Sequence, residues 1–378
     1  MTPVELSRSV LHAVRRAVDA GELRVEAPAL PSRVSVTPPG PGGCGDYATN
    51  VALQLARPAG QPPLRVAEVL RPYLSRAHGV AGVEITGPGF LNISLDRGAG
   101  AELVRGVLRD GPRHGHSDRL AGQVIEIRVP HDVRAEVLAD ALARMIESQG
   151  GRVEIDHREP VNLRPVPAPE DPAPLGPDAS QWALLHPAPH DRPRITADHL
   201  VQHESNPLFR VRYAHARTRA ISRNAADLGF SAHYGPEAAA ADQAAAADDG
   251  PMAPAAIGPD ATPLLTLLAD HPRLLASAVT HPRPADATGT ESETRTGTGT
   301  GTGTSLAAPV PDPAAPSRLT RHLLALADGT LAFLPTVLPR GAEKPSAAHR
   351  ARLALAEAAG TVLAGGLSLL GIDAPDHL

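Results

Sequence analysis

A single strand–helix–strand unit followed at once by a proline-rich run is what most limits this chain. VIEIRV (124–129) alternates as a strand, RAEVLADALARMIESQ (134–149) has helical spacing, and RVEID (152–156) is a second strand. Gly150-Gly151 closes the helix, as glycine does where a chain must turn left-handed. This is the minimal piece of a parallel sheet. EPVNLRPVPAPEDPAPLGPD (159–178) then carries too much proline for either element, because proline has no N–H to donate and clashes inside a helix. A doubly wound sheet that holds a nucleotide needs two βαβαβ halves. One unit cannot form that crevice, so 123–197 reads as a reduced spacer.

Elsewhere the chain has room for two or three domains in its 378 residues. Forty prolines and 34 glycines predict that much of it lies outside regular elements. One cysteine, Cys44, excludes an intramolecular disulfide and any multi-cysteine metal site, which fits a reducing cytoplasm. No apolar run approaches the length needed to span a bilayer, so a soluble, cytoplasmic protein with no membrane partner is predicted. Net charge is −5 and Lys344 is the only lysine. Affinity for nucleic acid depends on phosphate neutralisation, so any such binding must come from local arginine patches.

Residues 3–20 read as an amphipathic helix, RVSV (33–36) as a short strand, and DYATNVALQLA (46–56) as a helix capped by Asp46. A helix over about 64–77 and two strands in VEITGPGFLNISL (83–95), joined through Gly87-Pro88-Gly89, complete a small α/β domain over 1–96. A connecting helix leads through 97–122. Helical spacing resumes near Ala197, continues beyond Asp227, and returns over 263–279, 317–338 and 346–371. Two low-complexity inserts, 236–262 and 281–317, interrupt this C-terminal domain (198–378). The second holds a Gly-Thr run with nothing apolar to bury, which predicts disorder. The expected fold class is α/β plus all-α: a small α/β domain, a βαβ remnant, and a helical bundle with disordered insertions.

Two patterns invite over-reading. Gly40-x-Gly42-x-x-Gly45 spells a dinucleotide fingerprint, but prolines 38, 39 and 41 stiffen the loop and no following strand completes a βαβ unit nearby. His131, His157, His186, His190, His199 and His203 are metal-capable, yet no HxxxH pair sits on a clear helix. Zinc needs three or four converging ligands, so no metal and no bound cofactor are expected.

Three stretches carry a family resemblance. GDYATNVALQLARPAG (45–60) and EITGPGFLNISL (84–95) resemble the N-terminal, tRNA-contacting domain of arginyl-tRNA synthetases. NPLFRVRYAHAR (206–217) and ARLALAEAAGTVLAGGLSLLGIDAPDHL (351–378) resemble their DALR-type anticodon-binding domain. The resemblance implies an ATP site built on HIGH and KMSKS signatures. ADALARMIE (139–147) aligns with the family's GDALARLLE-like helix, which puts the HIGH histidines at about Val129 and Asp132. Neither is histidine, and KMSKS has no counterpart. The resemblance therefore implies a pseudoenzyme, with tRNA and a full-length aminoacyl-tRNA synthetase as the partners to expect, and no DNA. Two alternatives stand: an arginine–tRNA ligase, and a protein-interaction scaffold without RNA binding.

By the same resemblance, Asn50, Gln54, Phe90 and Asn92 fall where RNA is touched. Phenylalanine can stack on an exposed base, and amides can read base edges. On a helical wheel for 207–228, Val211, Ala214, Ile221, Ala225 and Leu228 share an arc of about 100°, the buried face. Arg212, Arg219 and Arg223 cluster opposite, with no acid between Glu204 and Asp227 to neutralise them. With Tyr213 they complete the candidate tRNA-binding set. Arg210 and Arg217 border the apolar face and are expected to be paired or packed along their stems.

Overall fold

The computed structural model describes residues 3–25, 30–31, 33–37, 39–40, 44–95, 97–233, 261–280 and 309–378. Most of both low-complexity inserts, and part of the Gly40–Gly45 loop, lie outside the described residues. The chain divides into two compact units. One comprises 1–109, 225–270 and 336–358, the other 110–224, 271–335 and 359–378.

In the first unit, α1 (Pro3–Asp19) buries Leu6, Val10, Ala13, Val14 and Ala17, the one-face spacing of an amphipathic helix. A four-stranded antiparallel sheet follows in the order β1-β2-β4-β3, from β1 (Val36–Thr37), β2 (Tyr47–Thr49), β3 (Val80–Thr86) and β4 (Phe90–Leu95). α2 (Val51–Ala59) and α3 (Pro63–Ser75) contribute Val51, Leu55, Val66, Leu70 and Leu74 to one core with Leu91 and Ile93.

Here the expected helix from Asp46 is corrected. Tyr47, Ala48 and Thr49 pair with Ile93, Asn92 and Leu91, and the Thr49 hydroxyl donates to the Ser35 carbonyl at 2.9 Å. An aromatic and a β-branched residue, both buried, suit a central strand better than a helical first turn. The helix begins one residue after Asn50.

α4 (Arg97–Asp110) leads to β5 (Val124–Arg128), α5 (Val133–Glu147) and β6 (Arg152–Asp156). β5 and β6 pair in parallel, Val124 opposite Arg152 through Arg128 opposite Asp156, and make a two-stranded sheet. α6 (Pro177–Leu185) follows the proline-rich run, earlier than the helical spacing suggested. Residues 197–200 form only a 3-10 turn, and the long helix α7 spans Pro207–Asp227.

Arg134 ties the proline-rich run, at Val166, to the end of α6 and the loop that follows it. It is 1% exposed and, among the described residues, pairs with no carboxylate; its guanidinium donates to the carbonyls of Val166, Leu184, Pro187, Ala188 and Asp191 at 2.6–3.2 Å. Prolines leave carbonyls without partners, and one planar, five-donor group satisfies them together.

The remaining elements are α8 (Thr262–Ala276), β7 (Val279–Thr280), β8 (Val310–Pro311), α9 (Ala315–Phe333) and α10 (Ala347–Leu369). β7 and β8 pair antiparallel, so the end of the second insert is ordered from Val310, contrary to the disorder expected as far as 317. Val279 and Thr280 supply the ladder partners that the low-complexity composition concealed.

Candidate nucleic-acid interface

α7 is oriented by its buried side. Leu208, Val211, Ala214, His215, Thr218, Ile221 and Ala225 are all buried, whereas Leu228, assigned to the apolar arc, lies beyond the helix and is 53% exposed. Burial desolvates the His215 ring and pushes its pKa down, against a counter-pull from the Pro375 carbonyl that accepts from Nδ1 at 3.1 Å.

The arginine stripe is not free of acids. Arg212 pairs with Asp178 of α6, and its Nε donates to the Asp373 carbonyl at 2.9 Å. Arg219 Nε lies 3.1 Å from an Asp376 carboxylate oxygen, and Arg223 Nη2 lies 3.4 Å from His377 Nδ1. The tail 373–377 therefore runs along the stripe, which corrects the expectation of an unneutralised patch. The acids sit more than 150 residues away in sequence for the tail, and 34 for Asp178, beyond any local charge count. Arg212 is three-quarters or more covered, while Arg219 stays half exposed in a solvent-screened pair of small energetic weight.

A different surface faces outward. Tyr213 is 39% exposed and stacks on Phe209 with ring centroids 5.6 Å apart. Arg217 is exposed, and Arg210, a third exposed, pairs with Asp328 of α9. Residues 210, 213 and 217 stand three and four apart, so they share one helix face. An accessible aromatic ring between two guanidinium groups can stack on a base and hold phosphates on either side. The expectation that these arginines are paired or packed holds for Arg210, whose partner is Asp328, whereas Arg217 is exposed; the spacing of both from Tyr213 was the signal to follow.

In the N-terminal module, Asn50 lies between β2 and α2, with Oδ1 accepting from Gln54 Nε2 at 2.9 Å; Gln54 is exposed. Phe90, at the hairpin tip, is 40% exposed. Asn92 is corrected: it is 2% exposed, and its amide donates to the Thr86 hydroxyl at 2.6 Å across the hairpin. Its amide is thus turned into the fold.

The two positions aligned with HIGH have other tasks. Val129 is fully buried, and Asp132 caps α5 by accepting from the Ala135 N–H at 3.1 Å. Of the metal-capable histidines, His199 bonds the Arg194 carbonyl and His186 the Thr320 hydroxyl, while His131 and His157 stack face to face.

Comparison with known proteins agrees with this layout. Residues 5–95 match the arginyl tRNA synthetase N terminal domain, and 211–378 match the DALR anticodon binding domain. An arginine–tRNA ligase of Renibacterium salmoninarum is 41% identical over 164 residues, 40% of this chain and 30% of the relative. That of Kineococcus radiotolerans is 40% identical over 163 residues, 40% of this chain and 29% of the relative. The matches thus span under a third of these curated relatives. The fold is that of Thermus thermophilus arginyl-tRNA synthetase, with a TM-score of 0.60 at 13% identity and 100% of both chains covered. The chain is an arginyl-tRNA synthetase-related protein, pairing an N-terminal module of that family with a DALR-type helical region.

Proposed function

We propose that this protein binds tRNA through the Arg210–Tyr213–Arg217 face of α7 and does not charge it with arginine. The binding half is carried by the exposed Tyr213 ring flanked by guanidinium groups, at the edge of the region matching an anticodon-binding domain. Arg219 and Arg223 extend the basic surface. Asn50, Gln54 and Phe90 offer a second contact on the N-terminal module, where an exposed ring and two amides suit unstacked bases. A full-length synthetase is the natural protein partner, and the cytoplasm the natural compartment.

The inactive half rests on the middle of the chain. Residues 110–233 are described without a break and hold two parallel strands, where a nucleotide crevice needs strand order to reverse in a larger sheet. No lysine is present there to neutralise a departing pyrophosphate. The reading requires no cofactor.

That the similar proteins are arginine–tRNA ligases favours a second reading, ligase activity. Purified protein given ATP, arginine and tRNA separates the two. The expected result is no arginine-dependent pyrophosphate exchange and no charging above background. Sustained turnover that co-purifies with this chain would establish the ligase instead, and protein that neither charges nor binds tRNA would leave the scaffold reading.

A further inference from the structure

β5 and β6 run parallel in register, with Arg128 opposite Asp156, so both strands end at the same edge of the sheet. α5 begins at that edge. His131 lies in the β5–α5 loop, Glu136 in the first turn of α5, and His157 directly after β6. Three segments thus deliver two imidazoles and a carboxylate whose ligand atoms all lie within 4.8 Å of one another. His131 Nδ1 is 4.0 Å from Glu136 Oε1, and the two imidazole rings stack with centroids 4.1 Å apart and planes 11° from parallel.

We propose that His131, Glu136 and His157 form a surface site for a divalent transition-metal ion of the zinc class, with water completing the shell. Two nitrogens and one carboxylate oxygen are a donor set that zinc accepts, with an open fourth position. Imidazole selects against magnesium and calcium, which require oxygen ligands.

The other nearby acids are occupied. Asp132 caps α5, Asp156 accepts from the His157 and Arg158 N–H groups, and Glu126 and Asp156 both pair with Arg158. Among the described residues Glu136 pairs with no guanidinium. Its charge, with that of Asp132, offsets the positive end of α5 that would otherwise repel a cation. All three side chains are exposed, His131 by 80%, so side-chain rotation alone brings the donors to one point. A bound ion would tie the ends of both strands to the start of α5.

The test uses the intact protein, stripped with chelator and titrated with zinc ion alone at neutral pH by calorimetry. Wild type should take up one ion at this site, undisturbed by millimolar magnesium. Loss of an outer partner of a zinc ligand already costs about 10–100-fold in affinity. H131A/H157A should therefore weaken binding at least tenfold, and E136Q should weaken it less. H199A/H203A, which removes a pair elsewhere, should bind as wild type does. His131, Glu136 and His157 are exposed, so the melting temperatures of their variants without metal should match that of wild type. Zinc uptake unaltered in H131A/H157A, or no uptake by wild type, would overturn the site.

Discussion

The Arg134 guanidinium is buried without a counter-ion, and desolvation pulls its pKa down while Asp132 and Asp191 pull the other way. Its stabilising role comes from geometry. The backbone carbonyls between 166 and 191 that it gathers have no replacement donors if the side chain is cut back. Each buried acceptor left unpaired costs about 1–3 kcal/mol. Arg134→Met should therefore destabilise the protein by at least about 3 kcal/mol in denaturant unfolding, and Arg134→Lys should fall between, since an ammonium cannot reach all the carbonyls. A loss below about 1 kcal/mol for the Met variant would show the loop to be held by something else. Nothing in the sequence singles out this arginine. It sits in the first turn of a helix, and its partners depend on how a proline-rich segment folds back. Val129 and Asp132, by contrast, were legible: the motif alignment asked for histidines, and the residues present fit a core position and a helix cap.

Helices meet through buried histidines and through glycines, and neither pattern announces itself. His114, just after α4, His271 on α8 and His322 on α9 lie in a row, with ring centroids 6.3 and 5.4 Å apart. His271 is completely desolvated, and the nearby His322, His114 and His116 rings disfavour its charge further, so its pKa lies well below 6.5. Asp110 stands 3.4 Å from His114, Arg113 adds positive charge beside His116, and Asp270 and Arg273 flank His271 on its own helix. The folded state keeps His271 neutral while the unfolded chain takes up a proton near 6.5. Stability is then complete above that pH and falls as pH drops below it, by up to about 1.4 kcal/mol per pH unit for one proton. Melting temperature should decline from pH 7.5 to 5.5, and His271→Gln should flatten the decline. A flat wild-type profile would contradict the assignment. The glycines of α10 are the other device. A Cβ on Gly360 would overlap the Thr218 side chain, and one on Gly366 the Leu323 side chain. Helix-interior glycine ordinarily costs about 1 kcal/mol against alanine, and here it permits close approach.

At the scale of the whole chain, legibility follows sequence distance. The α1 repeat, the 83–95 hairpin and the βαβ unit are written in local periodicity, and they appear with shifts of a few residues. The strand at Tyr47–Thr49 was missed because its partners lie some 40 residues on, and its short apolar pattern suits a helix equally well. The α7 interface was half legible. The wheel found the buried face, but Asp178 and the 373–377 tail, which occupy the Arg212 side, come from distant parts of the chain. On the neighbouring face Tyr213 and Arg217 stay exposed, with Arg210 paired to Asp328 at its edge. The direct measurement of tRNA binding there is affinity across a salt series for wild type and R210Q/Y213A/R217Q, with circular dichroism as the folding control. Wild-type binding should weaken as salt rises. In the variant, affinity should drop at least about tenfold, because a base stack worth about 1–3 kcal/mol is removed. Its log–log salt slope should flatten by roughly 0.7–0.9 for each phosphate that is no longer neutralised. A folded variant that binds tRNA with wild-type affinity and slope, or a wild type that binds none, would contradict tRNA recognition through this face.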